Sequence, residues 1–180
     1  MPFIDQIRYA YNATTPCAIT SILTKIQEAA RSGRPEFEQP NWPDGGLDHA
    51  DIELLRAKGF DVRPWDDCGE PYVYITGWDK RDAEGQVIDL HRIYREGVKR
   101  EWKRAEVEAH MMLYACLDAA MSGHRNVSFL MPSYNIGAQY KPTAFSERLL
   151  EILETEGLTV TPHWETGRGS ISGWSDPVTP

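Results

Sequence analysis

Apolar residues recur at three- and four-residue steps through Ile22, Ile26 and Ala29-Ala30, which predicts a helix over 20–32 with one buried stripe. Gly33 suits the position after a helix end, and Pro35 forbids continuation, so a short strand to Gln39 follows. Asn41-Trp42-Pro43-Asp44-Gly45-Gly46 is a turn cluster. Asp48 is placed to cap a second helix that runs to Lys58, with Ile52, Leu54 and Leu55 inward and Gly59 closing it. Phe60 to Arg63 reads as a strand. Asp66-Asp67-Cys68-Gly69-Glu70 then turns the chain, and Tyr72-Val73-Tyr74-Ile75 pairs back as a hairpin. The order is helix, strand, helix, strand, strand.

The same order returns downstream: a helix to Ser122, a strand Val127–Met131, a helix Thr143–Glu156, and strands Leu158–Thr161 and Ser170–Trp174 around the loop Glu165–Gly169. Thr143 follows Pro142 and is placed to cap its helix. Landmarks recur in step. Ala29-Ala30-Arg31-Ser32-Gly33 matches Ala119-Ala120-Met121-Ser122-Gly123, Phe60-Asp61-Val62-Arg63-Pro64 matches Leu158-Thr159-Val160-Thr161-Pro162, and Ile75-Thr76-Gly77-Trp78 matches Ile171-Ser172-Gly173-Trp174. The expectation is an α+β fold of two tandem α-β-α-β-β modules. A lone three-stranded sheet with two helices is a marginal core, so the copies are expected to pack with approximate two-fold pseudo-symmetry. The expected divisions are an extended arm over 1–16, a first module over 17–78, a basic helical linker over 79–104, a second module over 105–174 and a tail over 175–180. Helical character from Val87 to His110 allows the linker to run into the second module, with Gly97 as its weak point.

Charge changes this picture in one place. The 180-residue chain carries a net charge of −8. Between His91 and Arg104, however, Arg92, Arg95, Lys99, Arg100, Lys103 and Arg104 face only Glu96 and Glu101. That stretch holds +4 and leaves −12 on the remainder, which weighs against nucleic acid and anionic membrane as partners. Arg92, Arg95, Lys99, Arg100 and Lys103 are the candidate contact for an acidic protein surface; the plain alternative is a solvated helix face. Trp102 adds either a stacking surface or a core contact.

Other chemistry is sparse. Gly45-Gly46 precedes a helix but no Lys-Ser or Lys-Thr follows, so it is a turn and not a phosphate loop. The histidines His49, His91, His110, His124 and His163 are scattered, no two lie one helical turn apart, and no metal or cofactor is expected. Ser133 and Cys68 read as ordinary loop residues, and Asp66-Asp67 and Asp48/Asp51 as turn and helix-end carboxylates. Cys17, Cys68 and Cys116 are odd in number and far apart, which suggests free thiols in a reducing compartment. No apolar run reaches ~18 residues and the start lacks a signal-peptide pattern, so neither a membrane span nor secretion is expected.

The sequence of landmarks (a helix ending Ala-Ala-x-x-Gly, a short strand, a helix, Gly-aromatic-x-Val and a final Ile-Ser/Thr-x-Trp) resembles a small module met in tailed-bacteriophage proteins. Leu117 to Trp174 fits it better than the first copy, where Arg34-Pro35-Glu36 replaces alternating apolar residues. The resemblance implies a viral origin and carries over no functional residue. The expected function is that of a non-enzymatic structural or assembly protein in the virion or host cytoplasm, whose partners are other phage structural proteins or further copies of itself. Arm and tail would be held by such neighbours. The alternative is a binder that sequesters small nucleotide immune signals, with a groove at the interface of the two copies in which Trp65 or Trp164 stacks on a base and Arg168, Arg95 or Lys99 holds phosphate. A nucleotide-processing enzyme is the further alternative.

Overall fold

The computed structural model describes residues 17–41, 47–67, 70–79, 90–137 and 139–174. The expected arm and tail, most of the Asn41–Gly46 turn, the Cys68-Gly69 turn tip and the first part of the linker lie outside the described residues. The fold mixes helix and antiparallel sheet, and the chain divides into two compact units, Met1–Arg95 and Glu96–Pro180.

Unit 1 contains α1 (Cys17–Arg31), β1 (Glu36–Pro40), α2 (His49–Ala57), β2 (Asp61–Asp67) and β3 (Glu70–Thr76). Asp48 caps α2 through a reciprocal box. Its carboxylate accepts from the Asp51 N–H at 2.8 Å, and the Asp51 carboxylate accepts from the Asp48 N–H at 3.3 Å. The sheet order is β1-β3-β2, antiparallel throughout, and Phe37 and Val62 both pair with Ile75. That register turns Val62, Val73 and Ile75 toward Ile19, Ile22, Ile26, Leu55 and Trp78, all of them buried, while Phe37 packs at the edge of the cluster. Each such side chain contributes roughly 1.5–3 kcal/mol of burial. Pro64 is tolerated because β2 is an edge strand with no ladder partner on its outer side among the described residues. The hairpin runs further than the sequence suggests. Trp65 pairs with Tyr72 and stacks on it at 5.3 Å, which extends β2 to Asp67.

The third helix, α3 (Leu90–Met121), crosses the division between the units. From Leu90 on, the expected linker and the helix are therefore one element, and Gly97 does not break it. Its first turns give Leu90, Ile93 and Tyr94 to the unit 1 core. Unit 2 continues with β4 (Val127–Leu130), β5 (Ser133–Ile136), β6 (Gln139–Pro142), α4 (Ala144–Thr155), β7 (Thr159–His163), a 3₁₀ turn (Trp164–Thr166) and β8 (Arg168–Ser172). Thr143 caps α4, accepting from the Ser146 N–H at 3.2 Å. The main sheet has the order β4-β8-β7, again antiparallel with the last strand central. Its inner face gives Phe129, Val160 and Ile171 to a core with Ala105, Ala109, Leu149 and Leu153. The β5–β6 hairpin is not in the predicted order, and Ser133 opens a strand instead of lying in a loop. The final strand begins earlier than predicted, because Gly167 at φ 62° turns the chain within the 3₁₀ segment.

Details recur between the units. In each, the tryptophan after the last strand donates its indole N–H to the carbonyl just beyond the first helix: Trp78 to Arg34 at 2.8 Å, and Trp174 to His124 at 2.9 Å. Each tryptophan follows a glycine at φ 114°, Gly77 or Gly173. A Cβ there would lie 3.3 Å from the Asp61 nitrogen or 3.2 Å from the Thr159 nitrogen, so no other residue fits without strain.

Candidate interaction face and groove

Within unit 2, α3 is apolar on two faces. Ala105, Ala109, Met112 and Cys116, spaced by four, three and four, pack into the core. On the outward side lie Val107, Met111, Tyr114, Leu117 and Met121, spaced by four, three, three and four and between 52 % and 79 % exposed. The spacing of these five side chains keeps them in one line of about 21 Å. Sequence reading missed this stripe, although its periodic signal was present.

The basic strip leads into it along the same helix. Lys99, Lys103, Val107 and Met111 follow at steps of four. Arg95, Lys99 and Lys103 are exposed and have no ion-pair partner among the described residues, whereas Arg92, also exposed, is engaged. Arg104 pairs with Glu101 at 2.7 Å and lies over the Phe145 ring at 5.2 Å; Arg100 approaches Glu101 at 3.9 Å. Part of the strip is thus balanced within the chain. Trp102 is covered on one face by the Arg148 guanidinium at 5.8 Å, itself held by Glu106 at 3.3 Å and Glu151 at 2.8 Å.

A second feature of unit 2 is an open groove of about 920 Å³ on the outer face of the main sheet, over Ser128 and Ser170. Trp164 and Glu165 of the 3₁₀ turn, Tyr140 of β6 and Arg168 of β8 stand around it. The turn is fixed from below. The Trp164 carbonyl accepts the Ser133 hydroxyl at 2.6 Å, and the Met131 N–H donates to the Gly167 carbonyl at 2.8 Å. Arg168 is exposed and makes no side-chain hydrogen bond or ion pair among the described residues. Of the three residues expected to line a ligand groove, Trp164 and Arg168 come together. Trp65 lies on β2 of unit 1, stacked on Tyr72. Tyr140 was missed with its hairpin, whose sequence sign is the alternation of Tyr134, Ile136 and Tyr140 around Gly137.

Two perturbed groups are structural. The Tyr74 hydroxyl donates to the buried Glu36 carboxylate; burial first, and then that neighbour, push Tyr74 well above the usual tyrosine range. Burial also raises the Cys116 thiol, which favours its protonated form. Among the described residues no group of three His, Cys, Asp or Glu is placed to hold a metal, and no helix is long and apolar enough to cross a membrane. No protein-family model, curated protein or solved structure matches the chain.

Proposed function

We propose that the chain is a tandem duplication of one α-β-α-β-β module and serves as a non-enzymatic structural or assembly protein of a tailed bacteriophage, working through protein–protein contacts. The observation that carries the contact reading is the α3 face, five large apolar side chains in line and exposed. An apolar patch of several hundred Å² on a surface rimmed by charge is the usual mark of a protein interface. Arg95, Lys99 and Lys103 extend the face with positive charge suited to an acidic partner, favouring association rate and register. Duplication is supported by the common strand order, the paired glycines at φ 114° and the two tryptophan anchors. Viral origin rests on the landmark resemblance. Mass spectrometry of purified virions and assembly precursors tests the reading, and absence from both overturns it.

The groove favours a second reading, a small-nucleotide binder, because Trp164 and Arg168 offer stacking and anion contact side by side. Calorimetry against cyclic nucleotides and ADP-ribose derivatives then shows heat that Trp164→Ala and Arg168→Ala abolish. No heat removes this reading, and product formation points to an enzyme.

A further inference from the structure

We infer that the α3 face pairs with a second copy of this chain, helix against helix in antiparallel register about a two-fold axis at Tyr114; the inference rests on the contact reading above. The stripe is symmetric about that residue. Val107 and Met121 stand seven positions to either side of it, and Met111 and Leu117 three. A two-fold through Tyr114 therefore sets Val107 on Met121 of the other copy, Met111 on Leu117, and Tyr114 on itself, apolar on apolar at every level. Such self-complementarity is what an isologous interface requires and what a contact with a foreign surface does not.

Charge fits the same register. His110 falls opposite Asp118 of the second copy, both exposed. Area fits as well. At these exposures the stripe offers on the order of 500 Å² of apolar surface per copy, so the pair buries about 1,000 Å², the lower bound of a specific interface before flanking residues are added.

Sedimentation velocity on the full chain over a wide concentration range tests the pairing, together with oxidative footprinting of Met111 and Met121. The expected species has twice the 20.5 kDa monomer mass, with both methionines protected. Met111→Asp with Tyr114→Asp weakens it by about 30-fold or more while circular dichroism is unchanged, because both side chains point away from the core. Leu117→Lys with Met121→Lys is the second variant, should the first disturb the helix. A dimer insensitive to both variants overturns the inference. So does a monomer at every concentration, whether its methionines are open or are shielded by another segment of the same chain. Incorporation of parent and variant chains into particles separates the two levels: a monomeric parent that the substitutions exclude from particles keeps the contact reading with a foreign partner, and unchanged incorporation removes both.

Discussion

Replacing each tryptophan anchor by phenylalanine should destabilise the two units unequally. Trp78 is 1 % exposed, meets Phe60 edge-on at 6.5 Å and donates to the Arg34 carbonyl at 2.8 Å. Trp78→Phe leaves that carbonyl without its donor in a water-poor site, about 1–3 kcal/mol, and a smaller ring leaves a void of roughly 1 kcal/mol more. The total for unit 1 is about 3 kcal/mol. Trp174 makes the equivalent bond, but it is only half-buried and His124 is exposed, so water replaces the lost donor. Trp174→Phe then costs about 1 kcal/mol or less. Native-state hydrogen exchange reads the units separately, through the central-strand amides of Val73 and Ile75 in one and Ile171 in the other. A difference of about 2 kcal/mol is roughly a 30-fold difference in exchange acceleration. Equal acceleration in the two variants, or a larger effect from Trp174→Phe, refutes the reasoning that burial decides the cost of the shared anchor.

Gly169→Ala should destabilise unit 2 by about 1–2 kcal/mol in chemical denaturation, because the new Cβ meets the Phe129 ring at 2.9 Å and the Met131 sulfur at 3.3 Å; Phe129→Leu in the same chain should recover part of the loss. Tyr74 titrates higher in the folded than in the unfolded state, so its contribution is complete below its ordinary value of 10.0 and is lost as pH rises above that; stability curves of Tyr74→Phe should fall less steeply there than those of the parent. Arg95→Glu, Lys99→Glu and Lys103→Glu together should leave the melting curve of the monomer nearly unchanged, since none is paired among the described residues, yet abolish a partner association that already weakens with salt. Peptide-mapped alkylation of the folded chain should find Cys116 nearly inert, as a buried thiol with a raised pKa must be.

Local signals made most of the helices and strands legible in the sequence. Asp48 and Thr143 cap where side-chain oxygens precede an apolar stripe, Gly59 and Gly157 follow the two short helices at positive φ, and Gly33, also at positive φ, closes α1. Each of these effects acts within a few residues, so the sequence carries it whole. What escaped were features decided by balance between elements. Gly97 lowers helix propensity by only about 1 kcal/mol, and the burial of Leu90 and Ile93 on one side of it and Ala105 and Ala109 on the other outweighs that, so α3 is continuous. The exposed stripe was hidden because α3 is apolar at two offsets, and two opposed periodic faces cancel where one would stand out. Arg100 and Arg104 looked free in a charge count, but Glu101 is within reach of both.

The two candidate surfaces also lie where unit 2 exceeds the plan of unit 1. Only residues 41–48 separate β1 from α2, too few for the ten-residue hairpin 133–142 that walls the groove with Tyr140. The first helix of unit 1 spans 15 residues and buries its apolar stripe in one core, whereas the 32-residue α3 has length to spare for an outward face. On the duplication reading, the shared module supplies a folding unit and the additions to one copy supply the contacts. Variants in the shared anchors should therefore act through stability, and variants in the α3 stripe or around Arg168 through association, with little crossover between the two.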